Sequence, residues 1–186
     1  DPKAEGILPI AINKTTKLIP FVNSDSKKYL FKIKWGEQTS TDDSEGEIIN
    51  SSNKIPKDAD IIKIINSFLG QIDQIPPKAS AVKVGGIRAY SIFRNQKKFS
   101  LEPKKVFLKS ILFLGSNKKT SNFSIECGKG FYVRSLARDI SEKLGTYGHV
   151  IDLKRTNIIQ QRILTELHTK LLDSQTHFKK EKSNQL

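Results

Sequence analysis

Alternation of apolar and polar residues predicts a β-strand over residues 28–35, KYLFKIKW. The odd-numbered positions share one face of this strand: Tyr29, Phe31, Ile33 and Trp35. Three lysines on the opposite face indicate either a surface exposed to water or a surface that contacts phosphate groups. For Tyr29, which lies at the start of the strand, the alternative is simple packing in the core.

The same alternation predicts strands over residues 104–113, 123–127 and 149–158. A short apolar run predicts a strand over 7–12, with an edge or a bulge at Pro9. In the strand over 104–113, we expect Val106, Leu108, Ser110 and Leu112 to share one face, and in the strand over 123–127, Phe123, Ile125 and Cys127. In the strand over 149–158, we expect Val150, Asp152 and Lys154 on one face and Ile151, Leu153 and Arg155 on the other.

Apolar residues spaced three and four apart predict amphipathic helices. The clearest helix begins at residue 133, and its apolar stripe consists of Val133, Leu136, Ala137, Ile140 and Leu144. A second helix is expected over 57–69, capped by Asp58 or Asp60 and ended by Gly70, with an apolar side of Ile61, Ile62, Ile65 and Phe68. Shorter helices are expected over 13–22, 87–93 and 163–172, and residues 36–46 form a polar, acidic loop.

Tyr132 and Arg134 lie where the pattern changes from the period of a strand to that of a helix. Backbone N–H groups are free at the start of a helix, so such a joint is a common position for a functional site. The alternative is that these two side chains only cap the helix and the edge of the sheet.

The charge of the chain favours an anionic partner. Lysine and arginine number 32 and aspartate and glutamate 19, which gives a net charge of +13 and a pI of about 9.8. RNA, DNA and acidic surfaces are all compatible with this excess. The alternative is a basic surface that only contacts water. The carboxylates of the 36–46 loop oppose RNA binding unless they have a local role.

Cysteine and histidine usage gives no support for metal chemistry. Cys127 is the only cysteine, which excludes a disulfide within the chain and a multi-cysteine zinc site, and the three histidines lack ligand spacing. We find no apolar run of membrane-spanning length and no signal peptide pattern, so we expect a cytoplasmic protein. The chain has no methionine and starts at Asp1, and we therefore expect it to be processed, engineered or part of a longer polypeptide.

Five stretches resemble one family in order and spacing: DPKAEGILPIAINKTTK, KKYLFKIKWGEQTSTDDSEGEI, IDQIPPKASAVKVGGIRAY, ECGKGFYVRSLARDI and GHVIDLKRT. They are similar to the TruB-type tRNA pseudouridine synthases, which isomerise uridine 55 in the T-loop of tRNA. The resemblance runs from Asp1 to about Leu167. It implies an α+β fold, with a mixed, mostly antiparallel sheet flanked by helices. It also implies a catalytic domain over 1–172 that lacks its N-terminal part. The residues that follow, 173–186, are polar with few apolar anchors, and we expect a disordered tail there.

The resemblance implies a role for each matching site residue. Asp1 matches the catalytic carboxylate, which attacks the ribose or the base, or abstracts a proton, as the glycosidic bond breaks. Tyr29 matches the tyrosine that stacks on the target base and assists proton transfer. Tyr132 and Arg134 match the strand-end tyrosine and the arginine that pairs with the catalytic aspartate.

Further residues match the walls of the pocket and the RNA-binding surface. Leu153 matches the apolar residue under the flipped uracil, for which the alternative is plain core. Asp43 matches an acidic residue that contacts base or backbone. A T-loop uridine must leave its stack to react, and basic side chains grip the phosphates. The candidates are Lys28, Lys32, Lys34, Lys83, Arg88, Arg94, Lys97, Lys98 and Lys129. The expected partner is the T-arm of tRNA, bound by a monomer with no cofactor or metal.

Some features depart from the family pattern. The His-x-Gly segment and the Lys-Pro-x-Gly motif that precede the aspartate in the family, and the C-terminal RNA-binding domain of many relatives, do not occur in this sequence. Ala79 stands where tyrosine or phenylalanine is usual, and Ser40 replaces a frequent acidic residue. We therefore expect residues 1–186 alone to be poorly folded or inactive. The alternative function is a non-catalytic RNA-binding or tRNA-folding module.

Overall fold

The computed structural model describes residues 4–8, 10–13, 16 and 26–158. Its strands are β1 (Ala4–Gly6), β2 (Lys27–Trp35), β3 (Glu37–Thr39), β4 (Ile48–Ser51), β5 (Gly70–Gln74), β6 (Lys83–Val84), β7 (Ile87–Arg88), β8 (Lys104–Asn117), β9 (Thr120–Cys127) and β10 (Gly148–Ile158). Its α-helices are α1 (Asp58–Ile65), α2 (Ala89–Arg94) and α3 (Val133–Lys143), and a 3-10 turn over Asn66–Phe68 follows α1.

Six strands form the main sheet, in the order β1-β10-β2-β9-β8-β5. The pairing of β1 with β10 is parallel, and every other pairing in this sheet is antiparallel. Two hairpins, β3–β4 and β6–β7, form separate two-stranded sheets. The mixed, mostly antiparallel sheet with helices confirms the predicted α+β class.

The core forms where the centre of the sheet meets α1 and α3. Phe31 on β2 stacks on Phe123 of β9 with ring centroids 5.2 Å apart. The indole N–H of Trp35 donates to the Ser121 hydroxyl at 2.7 Å, so the buried ring keeps a polar partner. The predicted apolar faces of β2 and β9 are confirmed at Phe31, Ile33, Trp35, Phe123, Ile125 and Cys127, which are all buried, whereas Tyr29 is half-buried.

The helix predicted from residue 133 is confirmed as α3. The five residues of its predicted stripe are buried against the sheet: Val133, Leu136, Ala137, Ile140 and Leu144. Burial of such a side chain stabilises the fold by about 1.5–3 kcal/mol. The helix is thereby fixed on the sheet, with its first turn next to the ends of β5 and β9.

The predicted face of β8 is wrong beyond Leu108. The pairing with β9 skips Lys109 between Leu108 and Ser110, which is the signature of a β-bulge. One extra residue exchanges the two faces of the strand after that point. Ile111 is therefore buried, and Leu112, which we expected beside Leu108, is 59 % exposed.

The faces predicted for β10 are wrong for the same reason. The pairing with β2 shifts between Val150 and Asp152, so Ile151 is the extra residue. Val150 and Leu153 are consequently both buried, although the simple alternation placed them on opposite faces.

Five local predictions also need correction. The first strand is Ala4–Gly6 and not 7–12, because Gly6 has φ +105 and a Cβ there would overlap the carbonyl oxygen of Arg155. Helix α1 has Lys57 as N-cap without a side-chain hydrogen bond, so neither predicted aspartate caps it. Ile62 is exposed. The 36–46 loop contains strand β3, and the helix expected from residue 87 begins at Ala89.

Three predicted segments fall outside the described residues. These are the helix over 13–22, of which only Asn13 and Thr16 are described, the helix over 163–172 and the tail over 173–186.

Candidate active site

The start of α3 is tied to the end of β5. Tyr132 is the N-cap residue of α3, with extended backbone angles. Its backbone N–H donates to Oε1 of Gln74 at 2.8 Å, and the hydroxyl of Ser135 donates to the carbonyl of Ile75 at 2.7 Å. A side chain and a carbonyl from one segment therefore satisfy two donors in the first turn of the helix.

Arg134 connects three segments of the chain from a buried position. Its Nη1 donates to Oδ2 of Asp43 at 2.9 Å and to the carbonyl of Thr41 at 3.1 Å. Its Nη2 donates to the carbonyl of Ala79 at 3.2 Å. The planar guanidinium is thus held between the β3–β4 hairpin and the segment that follows β5.

Asp43 is oriented by several donors besides Arg134. Its Oδ1 accepts from the Thr41 hydroxyl at 2.6 Å and from the Glu45 backbone N–H at 2.9 Å. Its backbone forms a parallel bridge to Val150 on β10. The sequence predicted a contact of Asp43 with base or RNA backbone, and the structure places its carboxylate on Arg134.

A second arginine–aspartate pair lies one helical turn further along α3. Nη1 of Arg138 donates to Oδ2 of Asp42 at 2.7 Å, and Nη2 donates to the Ile75 carbonyl at 2.7 Å. Burial raises the pKa of Asp42, and the nearby guanidinium groups of Arg138 and Arg134 oppose that rise. Sequence reasoning missed this pair, although two signals pointed to it: Arg138 is four residues from Arg134, and Asp42 precedes Asp43.

Strand β10 brings together the other predicted site segments. Leu153 is paired with Phe31 of β2 on one side and with Ala4 of β1 on the other. Leu153 is buried and packs in the core cluster. Asp1 lies outside the described residues, three positions before Ala4. The role of Asp1 and its pairing with Arg134 therefore stay predictions.

Tyr29 is opposite Arg155 in the β2–β10 pairing. Burial raises the pKa of the Tyr29 phenol and Cys127 adds to that rise, whereas the charge and the hydrogen bond of Arg155 lower it. The net rise keeps the phenol protonated at neutral pH. A protonated phenol can donate a hydrogen bond or a proton to a group bound beside it.

Two of the predicted RNA-contacting lysines are exposed on the surface. Lys83 is exposed on β6, and Lys129 is exposed in the turn between β9 and α3. The structure does not bring either lysine to the Arg134–Asp43 pair.

A cleft of about 870 Å³ separates the tip of the β3–β4 hairpin from α2 and the residues after it. One wall is basic and aromatic, and is formed by Lys78, Phe93, Arg94, Lys97, Lys98 and Phe99. The opposite wall carries Glu45 and Glu47. Cations beside aromatic rings suit phosphate groups and unstacked bases.

Within the part of the chain that the structure describes, no group of three or more His, Cys, Asp or Glu side chains could hold a metal ion. Over that same part, none of the helices has both the length and the apolar character needed to cross a bilayer.

Solved structures with the same fold place the chain in a fold class. The crystal structure of a Cbf5–Nop10–Gar1 complex matches with a TM-score of 0.60 at 25% sequence identity, and covers 84% of this chain and 37% of that chain. The structure of an H/ACA RNP bound to a substrate RNA containing 2'-deoxyuridine matches with a TM-score of 0.58 at 20% identity, over 84% of this chain and 36% of that one. The architecture is thus the catalytic fold of a pseudouridine synthase.

Sequence comparison identifies the family within this class. The family model described as TruB family pseudouridylate synthase (N terminal domain) matches residues 1–133. The tRNA pseudouridine synthase B of Bartonella quintana (strain Toulouse) is 45% identical over 159 residues, which are 85% of this chain and 59% of that protein. The protein of the same name from Ehrlichia ruminantium (strain Gardel) is 44% identical over 160 residues, which are 85% of this chain and 54% of that protein. The chain belongs to the TruB family, and it spans about half the length of the curated relatives it matches.

Proposed function

We propose that this chain carries the catalytic centre of a tRNA pseudouridine synthase that isomerises uridine 55 in the T-loop of tRNA. The observation that carries the proposal is the identity of 45% over 85% of the chain to a protein named tRNA pseudouridine synthase B. We assign the catalytic domain to residues 1–172, and expect the protein to act as a monomer in the cytoplasm.

Asp1 supplies the carboxylate that attacks the ribose or the base, or abstracts a proton, when the glycosidic bond breaks. The arrangement of β1, β10 and β2 supports this role. Ala4, close behind Asp1 in the chain, pairs with Leu153, and Leu153 pairs with Phe31, two residues from Tyr29. The uracil is then bound between the phenol ring of Tyr29 and the side chain of Leu153.

Arg134 steers the catalytic carboxylate. The contacts of its guanidinium with Asp43, Thr41 and Ala79 fix its plane before the substrate arrives. Donors that are already oriented need no reorganisation during the reaction, which makes their electrostatic effect larger. Tyr132, at the N-cap of α3, completes the wall of the pocket next to Arg134.

The basic surface binds the T-arm while the target base is extruded from its stack. Stacking on aromatic side chains compensates for the lost base stacking by about 1–3 kcal/mol per base. Lys83 and Lys129 are exposed and contact phosphate groups. The reaction breaks the N1–C1′ bond and forms a C5–C1′ bond in the same nucleotide, while C5 loses its proton and N1 gains one. This isomerisation requires neither a metal nor an organic cofactor.

Tritium release tests the proposal directly. The substrate is T-arm RNA whose target uridine carries tritium on the ring carbon that becomes bonded to ribose. The gene product that contains this chain should release tritium, and Asp1→Asn should abolish the release while RNA binding persists. Asp60→Asn, an exposed aspartate on α1, is the matched control and should release tritium at the normal rate.

Equal tritium release by the Asp1→Asn variant and the unsubstituted protein would refute the catalytic assignment. Binding of T-arm RNA without any release by the unsubstituted protein would instead support a non-catalytic RNA-binding or tRNA-folding module.

A further inference from the structure

We propose that Arg138 and Asp42 form a positioning pair, which holds Asp43 against Arg134. The effect of this pair on catalysis rests on the proposed function, whereas its effect on the position of Asp43 does not. Neither residue of the pair matches a residue to which the family resemblance gave a role.

Asp42 and Asp43 are consecutive residues, yet both side chains reach the same helix. Asp43 contacts Arg134 and Asp42 contacts Arg138. In an extended strand, adjacent side chains point to opposite sides. The backbone of Asp42 breaks this rule because its φ is +61, in the left-handed region. This one residue therefore directs both carboxylates towards α3.

A left-handed conformation costs energy for any residue with a Cβ, although aspartate tolerates it better than most. Three contacts hold it in place, and one of them is the hydrogen bond from the Asp42 backbone N–H to the Thr39 carbonyl at 3.3 Å. The carboxylate of Asp42 accepts from Arg138 at 2.7 Å, and its carbonyl accepts from the backbone N–H of Val150 at 3.1 Å. Since the two backbone contacts leave the side chain free, the Arg138 contact is the one that ties the carboxylate of Asp42 to the helix.

Arg138 and Arg134 bind the hairpin in the same way. Residues four apart lie on one face of a helix. Each arginine donates to one aspartate of the hairpin and to one carbonyl of the segment after β5. Arg134 donates to Asp43 and Ala79. Arg138 donates to Asp42 and Ile75. The Arg138–Asp42 pair influences Asp43 only through the backbone of Asp42, so its effect on the site is indirect.

The first test measures geometry and needs no activity. NMR on protein labelled at arginine gives the rate of rotation about the Nε–Cζ bond of Arg134, assigned with Arg134→Lys. We expect faster rotation in Arg138→Gln and Asp42→Ala, because Asp43 no longer holds the guanidinium. Glu37→Gln is the matched control, since it breaks the Lys34–Glu37 ion pair, also 2.7 Å long, at the base of the same hairpin. Its rotation rate should equal that of the unsubstituted chain.

The second test measures the rate of pseudouridine formation at saturating T-arm RNA, with the RNA dissociation constant measured in parallel. Displacement of a positioned group by about 1 Å can cost as much as 100-fold in rate, and we expect Asp42→Ala to lose at least about 10-fold with little change in RNA affinity. Asp42→Asn should keep most of the rate, because asparagine tolerates the left-handed region and still accepts from Arg138. Asp42→Gly should be intermediate, since glycine adopts this φ at no cost but lacks the carboxylate.

The order asparagine, glycine, alanine distinguishes positioning from simple stabilisation, and the asparagine and glycine variants remain informative if the alanine variant fails to fold. Unchanged Arg134 rotation and unchanged rates, with only a lower melting temperature, would overturn the positioning role. If the unsubstituted protein forms no pseudouridine, the proposed function fails, and the NMR comparison still decides whether the pair positions Asp43.

Discussion

Arg134 is both charged and buried, and its hydrogen bonds require the planar geometry of a guanidinium group. Lysine at this position keeps the charge but cannot reach Asp43, Thr41 and Ala79 together. We expect Arg134→Lys to lower the single-turnover rate of pseudouridine formation by about 100-fold or more, with RNA affinity almost unchanged. Lys63→Arg, at an exposed lysine on α1, is the control for an exchange of lysine and arginine away from the site. A normal rate in the Arg134→Lys variant would show that its guanidinium shape has no role.

Asp139 makes the stability of the protein depend on pH. Burial raises the pKa of this carboxyl to about 6, and the charge and hydrogen bond of Arg138 oppose the rise. The folded state thus binds the proton more tightly than the unfolded state. The stabilisation that comes from this tighter proton binding is complete below the pKa of the unfolded state, near 3.8, and is lost as the pH rises through about 6.

The Asp139→Asn variant removes this dependence. Relative to the unsubstituted chain, we expect the variant to gain stability on the order of 2 kcal/mol between about pH 4.5 and about pH 7.5. Urea unfolding at the two pH values measures the difference. The exposed Asp60→Asn control should show no such gain. A pH-independent difference for Asp139→Asn would contradict the raised pKa.

At the scale of elements, the bulge in β8 decides which side chains enter the core. Ile111→Ala should destabilise the fold by about 2–4 kcal/mol because it leaves a cavity. Leu112→Ala should change stability by no more than about 0.5 kcal/mol, since Leu112 faces solvent. Chemical denaturation compares the two variants. Equal destabilisation would mean that Lys109 is not the extra residue of the bulge.

The periodic elements were predictable because one local rule describes each of them. Alternation held throughout β2 and β9, and the spacing of Val133 to Leu144 described α3 from end to end. Alternation failed at Lys109 and Ile151, because a bulge adds a residue without leaving any mark in composition. Strand β3 was not predicted because its sequence is polar and has no apolar face.

The candidate site was predictable where one residue type stood at a recognisable joint. Arg134 stood at the change from strand to helix, and the resemblance pointed to Asp43. The Asp42–Arg138 pair was missed because neither residue matches a role in the family resemblance, and no local pattern connects residues 96 positions apart. Its geometry depends on a left-handed backbone that aspartate adopts only in context.

For the molecule as a whole, the net charge of +13 predicts that affinity for the proposed RNA partner falls as the salt concentration rises. Each phosphate contact to single-stranded RNA contributes about 0.7 to the slope of log affinity against log salt concentration. We expect Lys83→Gln and Lys129→Gln each to lower the slope by about that amount for T-arm RNA between about 50 and 200 mM salt. Lys63→Gln, on α1, is the control. If the slopes are unchanged in all three variants, Lys83 and Lys129 are not part of the RNA-binding surface.

The extra residue in β10 has a consequence for how the gene can change. Ile151 is the extra residue of the strand, and Val150 next to the hairpin and Leu153 next to β1 both turn inward. Many side chains could occupy position 151 without altering that arrangement. Loss of the single codon for Ile151 would leave Val150 and Leu153 two positions apart, and plain alternation then places both on the inward face with their partners Ile33 and Phe31 unchanged. The strand can therefore shorten by one residue at this point without turning its inward face outward.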